Sequence, residues 1–160
     1  MRTGLGYDSH RLVAGRRFVL GGVEIPHDKG LEGHSDADAL VHAVCDAILG
    51  AMAAGDIGRH FPDTDPRYRD ISSVRLLERV RAIGEEKGFQ VHNIDATVIL
   101  EKPRLAQYID RMCLNIAKAL NIAADLVSVK AKTNEGMGFA GRREGVAALA
   151  VATVKRKGVA

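Results

Sequence analysis

Polar and apolar positions along this 160-residue chain alternate with two periods, and the switches between those periods mark its elements. Residues 2–7 read as a strand that carries Asp8 at its end. Residues 17–20 and 23–25 flank Gly21 and Gly22 as a short strand pair. A loop over 28–36 feeds a helix over 37–54, with Ser35 or Asp36 as its N-cap and Gly55 as its stop. That helix is rich in small residues and apolar nearly all round, which predicts burial. Residues 56–71 form a polar loop punctuated by proline. Ser72 or Ser73 then caps an amphipathic helix running to Lys87, with Val74, Leu77, Val80 and Ile83 in its pattern and Gly88 closing it. Residues 89–100 read as a strand, with Val91, Asp95, Thr97 and Ile99 on one face and Ile94, Ala96, Val98 and Leu100 on the other. Pro103 marks the break before a third helix over 104–120. Strands over 127–132 and 146–154 complete the chain, joined by the glycine-rich segment 133–145. This order predicts one α+β domain spanning 1–160, a mixed β-sheet with helices packed on one face.

Composition narrows the function classes. Apolar residues make up 46% and charged residues 27%, so a chain of this length encloses a core without staples. Aromatic residues are only 4%, with no Trp, which leaves few platforms for stacking bases. A net charge of +3 with interleaved signs suits an anionic small molecule. It argues against a nucleic-acid surface, despite the basic tail at Lys155, Arg156 and Lys157. Cys45 and Cys113 fall within apolar helical patterns and read as buried free thiols of a reducing compartment. Residues 1–7 lack the apolar stretch of a signal peptide, and no run approaches the roughly 18 apolar residues of a membrane span. The expected setting is the cytoplasm, with neither nucleic acid nor membrane as partner.

Four clusters carry candidate chemistry. Asp8 and His10 are two residues apart in an extended run, so both point to one face. A helix folded over that strand delivers His42 as a third ligand. Two nitrogens and one oxygen make a zinc set with a fourth position open, as in catalytic sites. Next, the Gly33-His34-Ser35-Asp36-Ala37-Asp38 loop leads into a helix N-terminus, where free N–H groups suit a phosphate oxygen. Asp38 and Asp46 are candidates to orient a metal-bound imidazole from behind. Gly55-Asp56-Ile57-Gly58 with Phe61-Pro62-Asp63-Thr64-Asp65-Pro66 offers close backbone approach and carboxylates for a polyol, although Asp-Thr-Asp-Pro is also ordinary turn chemistry. Finally, Lys130, Lys132, Thr133 and Asn134 precede a glycine-rich turn fit for a diphosphate. Glu135 in that turn suits a hard cation such as Mg²⁺.

Taken together, these motifs resemble the 2-C-methyl-D-erythritol 2,4-cyclodiphosphate synthase family of the non-mevalonate isoprenoid pathway. The likeness runs from Gly4-Leu5-Gly6-Tyr7-Asp8-Ser9-His10 to Gly141-Arg142-Arg143-Glu144-Gly145. It implies zinc, or another transition divalent cation, on Asp8, His10 and His42, with Mg²⁺ or Mn²⁺ on Glu135 between phosphates. It implies that His34, Ser35, Asp56, Ile57, Gly58 and the Phe61, Pro62, Asp63, Thr64, Asp65 loop hold a methylerythritol phosphate. Leu100, Pro103, Arg104, Leu105, Ala106, Lys132 and Asn134 would grip a cytidine diphosphate, with Phe139 and Arg142 nearby. The implied assembly is a homotrimer with sheets facing a central axis and sites shared between subunits. Arg104 stands where Lys is common in the family, Ser72 where Asp is common, and Gly136 where Lys is frequent.

The implied reaction closes 4-diphosphocytidyl-2-C-methyl-D-erythritol 2-phosphate into a ring and expels CMP. Nucleophile and electrophile are both anionic, so the reaction needs cations, alignment and hydrogen-bond donors more than a strong base. His34 and Thr133 are the expected donors to charge on the equatorial oxygens. Two other classes compete with this reading: a zinc-hydroxide phosphohydrolase and a non-enzymatic binding module.

Overall fold

The computed structural model describes residues 1–158. In chain order its elements are β1 (Arg2–Ala14), β2 (Val19–Leu20), β3 (Val23–Glu24), β4 (Lys29–Leu31), α1 (Ala39–Ala51), α2 (Ile57–His60), α3 (Ser73–Glu86), β5 (Phe89–Ile99), α4 (Ile109–Leu120), β6 (Val127–Lys132), α5 (Gly138–Gly141) and β7 (Gly145–Arg156). Five strands form one sheet in the order β4-β1-β7-β5-β6, while β2 and β3 pair separately. The β5–β6 pair is parallel and the others are antiparallel, so the sheet is mixed, as expected.

Residue parity divides β1 into two faces. Gly6 and Leu12 are buried and Asp8 and His10 half-buried, whereas Thr3, Leu5, Tyr7, Ser9 and Arg11 are exposed. The even face meets α1, which is buried along its length except at His42, Asp46 and Gly50. Gly4 and Gly6 explain how the helix settles so close. A methyl group at Gly6 would overlap the Ala43 carbonyl, and one at Gly4 would overlap the Ala47 carbonyl. The core between sheet and helices is aliphatic, with Leu40, Ile48, Leu77, Ile94 and Ile116 fully enclosed. Fully burying each such side chain contributes roughly 1.5–3 kcal/mol.

Several boundaries differ from the sequence reading. β1 is 13 residues long and does not end at Asp8. Its pairing with β7 runs from Arg2 opposite Val154 to Arg11 opposite Gly145, and its last residues pair with β4 in the segment expected to be loop. α1 starts later than expected because Asp38, not Ser35 or Asp36, is its cap. The Asp38 carboxylate accepts the Val41 N–H at 3.0 Å and those of Gly21 and Gly22 at 3.0 and 2.7 Å. In β5 a register shift between Val91 and Asn93 turns Val91 onto the buried face with Ile94 and Ala96. The third helix begins only at Ile109, after a 3-10 turn over Ala106–Tyr108. Two short helices, α2 and α5, occupy the predicted loops 56–71 and 133–145. Among the described residues no helix is long and apolar enough to cross a membrane.

The contact between α1 and β1 makes a direct prediction. Gly6→Ala should destabilise the protein by about 1–3 kcal/mol in urea unfolding, since the added carbon must push α1 off the strand. The same variant should lose metal-binding capacity, because α1 carries His42.

Candidate metal centre and substrate clefts

Asp8 and His10 project from the same face of β1, and α1 lowers His42 onto them. The Asp8 Oδ2 lies 2.9 Å from His10 Nε2 and 3.0 Å from His42 Nδ1. The two nitrogens are 3.1 Å apart, and the rings meet edge to face. Among the described residues this trio is the group of three or more His, Cys, Asp or Glu side chains with converging ligand atoms. Tetrahedral ligands at about 2.0–2.1 Å from a zinc ion stand roughly 3.3 Å from one another. The observed separations are close to that spacing, so the donor set fits the ion in both chemistry and size.

The outer nitrogens of both rings have protein partners. His10 Nδ1 lies 2.7 Å from the Glu32 carbonyl. His42 Nε2 lies 2.8 Å from Ser73 Oγ and 3.2 Å from Ser35 Oγ. Burial acts to raise the Asp8 carboxyl, but hydrogen bonds and charge from His10 and His42 outweigh it and hold the group at about 2. Burial acts to lower His10, yet the hydrogen bond and charge of Asp8, helped by the Glu32 carbonyl, leave its pKa raised.

Asp38 and Asp46 do not hydrogen-bond the trio. Asp38 caps α1 as described, and Asp46 accepts the Ile57 N–H at 2.7 Å, which fixes the start of α2. Burial raises the Asp46 carboxyl, against the pull of that amide. Ser73 and Ser35 contact the outer side of His42 instead, although the sequence pattern suggests a helix cap for one and a phosphate donor for the other. Nothing in the sequence pairs Ser73 with a histidine 31 positions earlier.

A cleft of about 430 Å³ opens beside the trio, with His10, His42, His34 and Ser35 on one wall. Ile57, Gly58, Phe61, Pro62 and Asp63 form the other wall, backed by Tyr68 and Leu76. Phe61 packs edge-on to Tyr68 at 5.4 Å between centroids. Asp56 caps α2 by accepting the Arg59 N–H at 2.9 Å. Thr64 is exposed at the turn, while Asp65 pairs with Arg67 at 2.6 Å and its carbonyl lies 3.1 Å from His34 Nε2.

A second cleft, of about 350 Å³, gathers Leu100, Pro103, Arg104, Leu105, Ala106, Lys132 and Thr133. Glu101 lines it as well. Its carboxylate accepts the N–H groups of Asn134 and Gly136 at 2.9 and 3.3 Å and so shapes the following turn. Thr133 donates its hydroxyl to Glu135 at 2.5 Å, and the Asn134 side-chain amide donates to the Met137 carbonyl at 2.8 Å. Phe139 and Arg142 lie elsewhere, in a cleft of about 530 Å³ that also touches His10 and Arg11. Arg142 there pairs with Glu144 at 2.9 Å. The first two clefts share no lining residue, so one chain holds His34 and Thr133 in separate places.

The sequence profile described as the YgbB family matches residues 1–155. A 2-C-methyl-D-erythritol 2,4-cyclodiphosphate synthase from Syntrophus aciditrophicus is 59% identical over 97% of this chain and 98% of its own. That from Salinibacter ruber is 58% identical over 97% and 99%. Among solved structures, a 2C-methyl-D-erythritol-2,4-cyclodiphosphate synthase in a CDP-bound form superposes with a TM-score of 0.88 at 35% identity, covering 96% of this chain and 100% of that one. The bifunctional IspDF from Campylobacter jejuni gives a TM-score of 0.93 at 41% identity over 97% of this chain, which spans 42% of that longer protein.

The raised His10 pKa sets the sign of a pH effect. A proton on His10 competes with a cation, so zinc affinity should fall as pH drops. Because Asp8 favours the protonated imidazole, the fall should begin above the ordinary imidazole value of 6.5. Chelator competition across pH 5 to 8 measures it; an affinity flat over that range would mean these imidazoles are not the ligands.

Proposed function

The chain belongs to the YgbB family and its activity is that of a 2-C-methyl-D-erythritol 2,4-cyclodiphosphate synthase, a lyase of the non-mevalonate isoprenoid pathway; we propose how its residues carry that reaction. The substrate is 4-diphosphocytidyl-2-C-methyl-D-erythritol 2-phosphate. Its 2-phosphate oxygen forms a bond to the β-phosphorus, and the bond from that phosphorus to the bridging oxygen breaks. CMP leaves with the electron pair. No water is consumed.

The observation that carries this reading is the convergence of Asp8, His10 and His42 beside the cleft bounded by His34, Ser35 and Phe61. Those three side chains would hold zinc or another transition divalent cation, and Glu135 would hold Mg²⁺ or Mn²⁺ with the diphosphate. When bound, such ions supply Lewis acidity and neutralise the mutual repulsion of the phosphates. The His34–Ser35 loop and the Asp56–Gly58 and Phe61–Asp65 segments bind the methylerythritol phosphate. Leu100 to Ala106, with Lys132 and Asn134, bind the cytidine diphosphate. The CDP found on a solved relative supports a nucleotide half of this kind. His34 and Thr133 donate to the equatorial oxygens as charge builds there.

The two clefts are separate within one chain, which favours a homotrimer in which one subunit's metal-side cleft faces a neighbour's nucleotide cleft. The face of the sheet opposite the helices is available for that assembly, with Leu5, Tyr7 and Val151 at 68%, 52% and 38% exposure. Closure by a neighbour would exclude water and protect ring formation from hydrolysis. A soluble, highly charged substrate fits a cytoplasmic setting.

Mass spectrometry of products from the cytidine-linked substrate tests the reaction. A cyclic diphosphate and CMP are expected, both abolished by chelator, and incorporation of solvent oxygen into the product would indicate a hydrolase instead. His42→Ala should remove bound zinc and lower turnover by roughly 10² or more while the fold persists. Glu135→Gln should raise the Mg²⁺ concentration needed for half-maximal turnover with zinc content unchanged. Equal zinc loss in that variant would show the two metal assignments to be wrong.

A further inference from the structure

Behind His42 lies a polar chain that the reaction itself does not use. Ser73 Oγ is 2.8 Å from His42 Nε2, and the same hydroxyl hydrogen-bonds Asp36 Oδ1. Ser73 is fully buried. Asp36 is itself fixed at several points. Its Oδ2 accepts the Ser73 N–H at 2.9 Å, its Oδ1 accepts the Asp38 N–H at 3.2 Å, and its own N–H donates to the Ile71 carbonyl at 3.1 Å. We infer that Asp36 and Ser73 are positioning residues that keep a proton on His42 Nε2 and fix its ring, so that Nδ1 is the nitrogen presented to a cation shared with Asp8 and His10. The inference rests on the metal reading of that trio.

The direction of the chain follows from what each group is able to do. An ionised carboxylate only accepts, so the Ser73 hydroxyl must donate its single proton to Asp36. The Ser73 oxygen is then left to accept, and the group facing it is His42 Nε2. With the Nε2 proton donated to Ser73, Nδ1 is the nitrogen left for a cation, whose binding displaces any proton that Asp8 holds there. That Nδ1 is the atom 3.0 Å from Asp8 and 3.1 Å from His10. His10 reaches the same result with a backbone acceptor. A carbonyl never donates, so the Glu32 oxygen at 2.7 Å fixes a proton on His10 Nδ1 and leaves Nε2, which faces Asp8, as the nitrogen for a cation. Ser35 Oγ, 3.2 Å from His42 Nε2, already accepts the Ala37 N–H at 3.2 Å and is the more distant partner. Two acceptor-terminated chains thus aim two ring nitrogens at one point. Supports of this kind typically change metal affinity by 10–100-fold when removed.

The test compares zinc affinity, by competition with a chromophoric chelator, in the wild-type protein, Ser73→Ala and Asp36→Asn. Tautomers are read separately from ¹⁵N chemical shifts of the histidine side chains in zinc-free protein. Wild type should bind zinc and show His42 with a protonated Nε2. Ser73→Ala should bind zinc about 10–100-fold more weakly and show a mixed tautomer at His42, with His10 unchanged and unfolding still cooperative. Asp36→Asn, which removes the acceptor-only end, should shift the same two readings in the same direction. If wild type binds no zinc, the metal reading fails. If wild type binds and both variants match it in affinity and tautomer, the relay is overturned. If either variant loses its fold, the other decides by the same readings, and the wild-type ring decides independently of both: a His42 Nε2 that carries no proton refutes the inference.

Discussion

The centre depends on how closely a helix approaches a strand. Gly4 and Gly6 lie on the face of β1 that meets α1, and the carbonyls of Ala43 and Ala47 occupy the space where side chains would stand. An imidazole is short, and His42 meets Asp8 and His10 at about 3 Å only because its helix rests on bare backbone. Each glycine costs roughly 0.5–1 kcal/mol of backbone entropy relative to Ala. Burial of the Val41, Val44, Ile48 and Leu49 side chains of α1 is several times larger, so the fold sustains that cost.

Close approach alone would bring together three groups that repel or compete for protons. The half-buried site resolves this through the groups behind the ligands. A backbone carbonyl behind His10 and a hydroxyl–carboxylate pair behind His42 dictate where the ring protons sit. The depressed Asp8 pKa and raised His10 pKa report the same convergence, since a carboxylate between two imidazoles favours positive charge at that point. A cation satisfies all three groups at once. The geometry is therefore set before any ligand arrives, as a site that must align two anionic phosphates requires.

Strand parity made Asp8 and His10 legible in the sequence, because a two-residue spacing in an extended run has one meaning. His42 was legible as an imidazole stranded in an apolar helix. The gathering of Leu100, Pro103, Arg104, Leu105 and Ala106 with Lys132 and Thr133 follows from parallel pairing of β5 and β6, which aligns their ends. Other features depended on contacts with no sequence signal. Asp38 replaced the expected caps because Gly21 and Gly22, 17 and 16 residues earlier, present N–H groups to it. A bulge moved Val91 across the sheet, and periodicity does not reveal a one-residue slip. Ser73 and Asp36 looked like turn and cap residues, and only the return of α3 beneath α1 gives them an imidazole to support. Phe139 and Arg142 followed α5 and the turn into β7 to a different cleft.

The same parity links chemistry to the proposed assembly. Even positions of β1 carry Asp8 and His10 inward, and odd positions carry Leu5, Tyr7 and Ser9 to the open face, where Leu5 sits opposite Val151 and Tyr7 opposite Leu149. A strand has no third face, so whatever covers the outer one lies just across the sheet from Asp8 and His10. In the proposed trimer this makes subunit packing a direct mechanical constraint on the centre. Displacing the strand toward or away from a neighbour moves Asp8 and His10 with it, and the backbone contact at Gly4 and Gly6 carries α1 and His42 along. A site divided between separate clefts would then have its two halves registered by one rigid element, which is what an in-line attack across a subunit boundary demands.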